Sequence, residues 1–307
     1  MFKSKLFLII GGAFYLSCGA QHKMNTANIA SAQMPVETST TISGKEKENL
    51  EMVTATDPVN EVMEATAIDT TVTQLPKVKE DEEPIPPKKA SKAPDHALWN
   101  TLLGKHVADD GNVNYKGFAN DNDKLQTYLM YLAENAPTDS WSKNELLAYY
   151  INLYNAATVK LIIDNYPLKS IKDIKGPWDK KVVVVGDKKL SLGEIEHKIL
   201  RKMDEPRIHF AINCASYSCP KLLNVAFSAA EMEKLLQQTA SEFVNDSKRN
   251  ILSVNTIQIS QIFKWFKKDF TSNGSLIDFV NKYGKTEVAA GAKVTHLKYD
   301  WSLNEAK

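Results

Sequence analysis

The segment RIHFAINCASYSCPKLL, Arg207–Leu223, carries the residues of this sequence that are best suited to chemistry. Cys214 and Cys219 lie five positions apart within it. A thiolate is both a strong nucleophile and a metal ligand, so this pair suits covalent catalysis, a disulfide or a zinc site. The apolar alternation over Ile208–Cys214 predicts a strand, followed by a polar loop and a helix that begins at Cys219-Pro220.

The two cysteines permit four interpretations. In the first they form a disulfide, which an oxidising compartment favours. In the second one thiol is a nucleophile, with Cys219 preferred because a helix N-terminus lowers a thiol pKa, and Cys214 as second choice. In the third both are small buried apolar residues. The fourth is a zinc site, but the spacing fits no closed zinc motif, and we predict no metal and no cofactor.

His197 and His209 are the candidate general bases for such a nucleophile. A helix is predicted over Leu192–Met203, where His197 shares one face with a glutamate and Arg201. This polar row is either solvated or presents His197 as an oriented base. His209 and Cys214 have opposite parity on the predicted strand, so they are not expected to face each other unless the strand bulges.

The longest predicted helix, about Lys143–Tyr166, is apolar nearly all round, which indicates burial on most sides. Four polar residues interrupt it at helical spacing and fall within about a third of its circumference. They are Glu145, Tyr149, Asn152 and Asn155. Buried polar groups need partners. These residues therefore either bond to loop backbone or line a site, where Asn155 or Glu145 would orient a catalytic group.

The overall pattern predicts an α+β fold, with a small, mainly antiparallel sheet packed against helices and the long buried helix at its centre. A hairpin is predicted from strands over Val182–Val185 and Lys189–Leu192, and a further strand pair over Ile251–Ser260. Residues 95–305 contain all five tryptophans. We therefore predict that they form a single globular domain.

The N-terminus has the pattern of an export signal, predicted over residues 1–18. Lys3 and Lys5 precede the apolar run Leu6–Leu16, which is too short to span a bilayer comfortably. The small residues that follow resemble a bacterial lipoprotein cleavage site, with Cys18 as the lipidated residue. An ordinary signal peptide is the alternative. The prediction is a lipid-anchored protein on the exported side of the membrane, in the bacterial cell envelope.

Residues 19–94 are predicted to be a disordered tether. Residues 21–93 contain no aromatic side chain, and such a segment cannot bury enough apolar surface to offset its ordering entropy. The net charge is +1, from 38 basic and 37 acidic residues. No basic block interleaves with aromatic residues, so nucleic acid is not an expected partner.

Four separated motifs give this chain a resemblance to a known family. They are LLAYYINLYNAATV (146–159), LSLGEIEHKILR (190–201), PRIHFAINCASYSCPKL (206–222) and YDWSLN (299–304). In these motifs and their order the chain resembles the family named domain of unknown function 547. Members of the family occur in exported bacterial proteins. The resemblance therefore implies a fold unit and names no reaction.

The family motif maps onto polar residues that are compatible with a site but are also typical of hydrogen-bonded architecture: Asn152, Asn155, Glu196, His197, Arg201, Arg207, His209, Cys214 and Cys219. We predict that Asn152, Arg201 and Arg207 contact substrate. Two functions stay open. One is a thiol-dependent acyl-transfer hydrolase of peptidase or amidase type. The other is a non-catalytic envelope module that binds or scaffolds an envelope protein or peptide-like ligand.

Overall fold

The computed structural model of this protein describes residues 92–306. The predicted signal peptide, Cys18 and the predicted tether up to residue 91 lie outside the described residues. Helices α1–α4 are Ala97–His106, Tyr115–Asn120, Asn122–Glu134 and Lys143–Ile163. Helices α5–α9 are Leu192–Glu194, Met232–Val244, Ile262–Trp265, Lys267–Phe270 and Leu276–Tyr283.

Two small sheets accompany the helices in the described part of the chain. Strands β1 (Val183–Val185) and β2 (Lys188–Leu190) pair antiparallel, as the predicted hairpin requires. Strand β3 (Ile251–Leu252) pairs antiparallel with β4 (Thr256–Ile259), and β4 pairs parallel with β5 (Lys293–His296). The predicted α+β fold with little, mainly antiparallel sheet is therefore confirmed.

Helix α4 is the central element of the larger core. Ser142 caps its first turn in a reciprocal capping box with Glu145. Fourteen of its 21 residues are buried, and each large apolar side chain among them contributes about 1.5–3 kcal/mol. By length and composition α4 is a candidate membrane span among the described residues. However, 78% of its most apolar window is buried inside the protein, as in a soluble core helix.

The single helix predicted over Leu192–Met203 is wrong. Ser191 caps α5 in a reciprocal capping box with Glu194. The short α5 is then followed by a π-helical turn at Ile195–Ile199 and a 3₁₀ turn at Leu200–Met203. A π-helical turn accommodates one residue more than an α-helical turn. The face expected from α-helical spacing is therefore lost, and Glu196 is buried while His197 is exposed.

The strand predicted over Ile208–Cys214 is also wrong, as is the helix predicted to begin at Cys219-Pro220. Pro206–Phe210 forms a 3₁₀ helix, and the described residues between Pro220 and α6 contain no helix. The segment lies in the interior, where side-chain amides satisfy its backbone in place of a strand neighbour. Tertiary hydrogen bonds thus override the local pattern.

The described residues pack around two apolar clusters. The larger contains residues of α1–α4 together with Ile208, Ala211, Ile212 and Ala215. The smaller is strongly aromatic, with Phe210 against Phe243 and Phe270 at ring-centroid distances of 5.0 and 5.5 Å. Trp301 packs against both clusters. The residues between Phe210 and Cys219 therefore lie where the two clusters meet.

Candidate thiol site

A cavity of about 210 Å³ lies beside the two described cysteines. Both thiols line it, together with Glu196 and both candidate histidines. Its remaining wall is largely aromatic: Tyr154, Trp178, Trp265, Phe266, Tyr299 and Trp301. A mostly apolar pocket with a few convergent polar groups is typical of a small-molecule site.

Cys214 and Cys219 are both free thiols. Cys219 is 3% exposed, and its Sγ accepts a hydrogen bond of 3.0 Å from the backbone N–H of Cys214. Cys214 is half-buried, and its sulfur contacts Ser216 Oγ at 3.2 Å and Tyr299 Oη at 3.4 Å. Ser216 Oγ and Tyr299 Oη are in turn 2.9 Å apart. The sulfurs thus belong to a polar network inside an apolar pocket.

This network moves the two thiol pKa values in opposite directions. Burial opposes the thiolate of Cys219, but hydrogen bonds from the Cys214 thiol, the Tyr299 hydroxyl and the Cys214 backbone N–H outweigh it. They lower the pKa of Cys219 to about 6. The pKa of Cys214 is raised well above its usual value by its bond to Cys219 and by burial. The pair thus loses one proton near neutral pH and holds the second.

The predicted cause of this low pKa, a helix dipole, is wrong. Because no helix begins at Pro220, Cys219 caps nothing, and no helix N-terminus is available there to stabilise an oxyanion. The Cys219 backbone N–H instead donates to Ser216 O at 3.0 Å. Donors from the loop itself and from the C-terminal segment replace the dipole.

Asn155 on α4 holds the segment that leads into Cys214. Its Nδ2 donates to Ala211 O at 2.9 Å, and its Oδ1 accepts from the Asn213 N–H at 2.8 Å. Asn213 continues the clamp: its side chain accepts from the Ala215 N–H at 2.8 Å and donates to Pro220 O at 2.7 Å. Asn155 is therefore a positioning residue for the thiol loop.

His209 lines the cavity, but its observed hydrogen-bond partner is a carboxylate and not a thiol. Its Nε2 lies 2.8 Å from Asp269 Oδ2, and its ring stacks on Phe266 at 3.9 Å. Its buried Nδ1 has no hydrogen-bond partner within the described part of the protein. Burial lowers the pKa of His209 to about 4, with the Asp269 bond opposing this only in part. The imidazole is therefore neutral at physiological pH.

Asp269 also binds Arg201, which was predicted to contact substrate. Arg201 Nε and Nη2 donate to the two carboxylate oxygens at 2.6 and 2.8 Å. This bidentate pair lowers the pKa of Asp269 to about 2. His197 stands beside it, with Nδ1 3.4 Å from Arg201 Nη1, and both burial and the guanidinium lower its pKa. The guanidinium is thus occupied by Asp269.

Glu196, which the family motif included but to which no catalytic or binding role was assigned, is the carboxylic acid of this cavity. It is 8% exposed, and Tyr154 Oη lies 3.4 Å from its Oε2. Burial, and then the nearby Cys219 thiolate, raise the pKa of Glu196 to about 7. A carboxyl group that is half-protonated at neutral pH is suited to proton transfer.

Three predicted site residues are placed away from this cavity. Glu145 Oε2 accepts from the Ser142 N–H at 2.7 Å, and Glu145 lines a different cavity. Asn152 binds both backbone groups of Phe227. Arg207 is held by Glu205 and Glu233. Their observed contacts are those of structural groups.

The site thus draws on residues that local reasoning missed. Glu196 lies in the motif 190–201 and Tyr299 in the motif 299–304, so the family resemblance offered a signal for both. Asp269 lies in a short helix outside every motif, and nothing in its local sequence marks it.

Comparison with known proteins gives one match. Residues 138–244 match the model of a family described as "Protein of unknown function, DUF547". The matched segment contains α4, Glu196, His209 and both cysteines, whereas Asp269 and Tyr299 lie beyond it. The searches of curated proteins and of solved structures found no match. The match supports the resemblance to this family over residues 138–244, which contain three of the four motifs.

Proposed function

We propose that this domain is a thiol-dependent acyl-transfer hydrolase of peptidase or amidase type. The observation that carries the proposal is a cavity in which a Cys219 thiol of lowered pKa lies beside a carboxyl group of raised pKa, Glu196. A nucleophile and a proton donor whose pKa values are pushed towards neutrality are the two groups that amide hydrolysis requires.

In the first step the Cys219 thiolate attacks the carbonyl carbon of the substrate and forms a C–S bond. The C–N bond breaks, and the amine leaves with a proton from Glu196, so that a thioester and a Glu196 carboxylate remain. In the second step this carboxylate takes a proton from water, which attacks the thioester. The products are a carboxylic acid and the restored thiolate.

Glu196 is a better proton donor here than either histidine. With a pKa of about 4, His209 is protonated in only about one molecule in a thousand at pH 7. The pKa of His197 is also lowered. Glu196 is protonated in about half of the molecules at that pH. His209 then forms part of the pocket wall, where its ring stacks on Phe266 and its Nε2 contacts Asp269.

The test compares two acyl donors with the same acyl group. A p-nitrophenyl ester needs no proton for its leaving group, whereas an anilide does. Glu196→Gln is expected to slow acylation by the anilide by about 10²–10⁴-fold and acylation by the ester by much less. His197→Gln is the matched control and changes the ratio of the two rates little.

Intact mass spectrometry supplies the second readout. The acyl-enzyme is expected in the parent chain and in Cys214→Ser, and it is absent in Cys219→Ser. If no acyl donor forms an adduct while iodoacetamide still labels Cys219, the hydrolase proposal is wrong.

The proposal places the domain on the exported side of the bacterial cell envelope, anchored through lipid on Cys18. Its support is the N-terminal sequence: two lysines, a short apolar run and a cysteine flanked by Ser17 and Gly19. Incorporation of radiolabelled palmitate by the parent chain, and its loss in Cys18→Ser, would support this anchor. A parent chain that takes up no label would exclude it.

A second candidate, a non-catalytic binding module, is favoured by a groove of about 580 Å³ beside α3, α4 and β1. Met130, Val182 and Val184 on its wall are 53%, 54% and 40% exposed. Exposed apolar side chains that line a concave surface are typical of ligand or partner sites. A photo-crosslinker at Val184, with one at Lys285 as control, would trap a partner regardless of Cys219→Ser if binding is the function.

A further inference from the structure

The second thiol of the cavity, Cys214, is neither the nucleophile nor the proton donor of the proposed hydrolysis. Cys214 and Cys219 line the same cavity. The Cys214 N–H also donates to Cys219 Sγ at 3.0 Å. Because Cys219 Sγ touches the backbone of Cys214, rotation of the two side chains can bring the sulfurs to the disulfide bond length of about 2.05 Å. The two thiols are therefore placed to form a disulfide reversibly.

The loop between the cysteines is held in this arrangement by the C-terminal segment. Tyr217 N–H donates to Ser302 O at 2.7 Å, and Ser218 N–H donates to Asp300 O at 3.2 Å. Ser216 also forms a bridge with Leu303. These contacts of the loop backbone involve neither cysteine side chain. They therefore do not have to break when the two sulfurs bond to each other.

The two sulfurs differ in ways that suit different roles. Cys219 Sγ accepts the backbone N–H, so it carries the negative charge of the pair. Cys214 contacts the hydroxyl groups of Ser216 and Tyr299, and it is the more exposed thiol. Disulfide exchange by a dithiol needs two groups. A thiolate attacks the disulfide and forms a mixed disulfide, and a neighbouring thiol then attacks that mixed disulfide.

We propose that this pair carries out thiol–disulfide exchange with a low-molecular-weight disulfide, in which Cys219 attacks and Cys214 resolves. The cavity of about 210 Å³ admits a small ligand, and its aromatic wall provides favourable contacts for sulfur. This activity uses the thiols of the proposed hydrolase but needs no acyl substrate.

The exchange balances in two steps. The Cys219 thiolate attacks one sulfur of the disulfide RSSR, forms a mixed disulfide and releases RS⁻. Cys214 then attacks Cys219 Sγ, loses its proton to the second departing sulfur and releases RSH. The protein pair is oxidised by two electrons to the Cys214–Cys219 disulfide, and the small disulfide is reduced to two thiols. A dithiol reductant reverses the reaction.

The test uses the full-length chain with Cys18→Ser, which removes the cysteine outside the described residues. The reduced protein is mixed with oxidised glutathione, quenched with acid, treated with iodoacetamide and examined by intact mass spectrometry. We expect the parent to lose two hydrogens and retain no glutathione. Cys214→Ser is expected to retain glutathione on Cys219, and Cys219→Ser to react at least about tenfold more slowly. Dithiothreitol reverses each modification.

Three results would overturn the inference: stable glutathione on the parent, equal rates in the two serine variants, or no modification of a parent that iodoacetamide still labels. Tyr217→Phe, in the same loop, is the matched control and exchanges as the parent does. Cys214→Ala, checked by circular dichroism, guards against a folding defect of the serine variant. Exchange without an acyl-enzyme refutes the hydrolase alone, and an acyl-enzyme without exchange refutes this inference alone.

Discussion

Asn152 and Asn155 make the same kind of contact at two places on one helix, with different consequences. Each is buried on α4, and each uses its amide to accept one backbone N–H and donate to one backbone carbonyl. Asn152 binds Phe227, whose segment precedes α6. Asn155 binds Ala211 and Asn213, whose segment leads directly to Cys214.

The comparison separates a structural device from a functional site. A buried amide that satisfies two backbone groups fixes a loop wherever it occurs. What differs is the residues that each loop carries. The loop bound by Asn152 carries the buried apolar side chain of Phe227, and the loop bound by Asn155 carries the two thiols. Asn155 therefore has the first of the two predicted roles, bonding to loop backbone, and the loop that it binds is the one that carries the thiols.

The sharpest test of this comparison pairs Asn155→Ala with Asn152→Ala. Each variant leaves a buried N–H and a buried carbonyl without a partner, so each is expected to lose about 2–4 kcal/mol of unfolding free energy. Only Asn155→Ala is expected to lower the alkylation rate of Cys219 in the folded protein, by about tenfold or more at pH 7. Chemical denaturation and iodoacetamide kinetics measure the two effects. Equal thiol reactivity in both variants would remove the distinction.

The second test asks whether Glu196, a titrating group of the thiol cavity, affects the stability of the folded protein. The pKa of Glu196 is raised from 4.5 to about 7, so this residue favours the folded state below pH 4.5, and the advantage is lost as pH rises through 7. Glu196→Gln is therefore expected to match the parent at pH 4 and to gain about 1–3 kcal/mol at pH 8. Thermal unfolding at both pH values measures this.

Glu194, two residues away, provides a control of opposite sign. Its pKa is lowered to about 2 by the Ser191 backbone N–H and by Lys198. Its contribution is present above the unfolded pKa and is lost as pH falls. Glu194→Gln is thus expected to destabilise at pH 8 and not at low pH. The same pH trend in both variants would contradict the assigned pKa directions.

The third test weakens the thiol loop from the C-terminal side. Tyr299→Phe removes the hydroxyl that bonds to the sulfurs but keeps the ring in its aromatic wall. The pKa of Cys219 is expected to rise by about one unit, the equivalent of one hydrogen bond. Alkylation should then slow several-fold at pH 6 and not at pH 9. An unchanged pH profile would show that Tyr299 has no part in stabilising the thiolate.

The smallest expected effect lies at the Arg207 cluster, away from the thiol cavity. Glu233 is largely exposed, and Arg207 keeps Glu205 as a second partner. Glu233→Gln is therefore expected to change the unfolding free energy by less than about 1 kcal/mol and thiol kinetics not at all. A large loss of thiol reactivity would mean that this cluster and the thiol loop are coupled.

Local sequence patterns were reliable where a short-range interaction decides the structure. The predicted hairpin of β1 and β2 formed because its partners lie within a few residues of each other, as do the partners in the capping boxes at Ser142 and Ser191. The apolar run of α4 was read as a buried helix because few polar residues interrupt it. The cysteines, His197 and His209 were predicted as site residues from their chemistry and motifs, and the structure brings all four to one cavity.

The patterns failed where distant residues supply the hydrogen bonds. Ile208–Cys214 alternates as a strand does, but Asn155, about 55 residues earlier in the chain, satisfies its backbone. The π-helical turn redirects Glu196 into the cavity, and no periodicity marks it in advance. Asp269 reaches His209 from a separate helix.

The sequence by itself determined the elements and the chemical groups: a buried central helix, a hairpin, two thiols and the amides and imidazoles around them. Only the tertiary structure decided which sulfur bears the charge and which acid lies beside it. The reason is physical. Helix caps and apolar stripes are set by neighbours in the chain, whereas the pKa of a buried group depends on the burial and hydrogen bonds that distant segments provide.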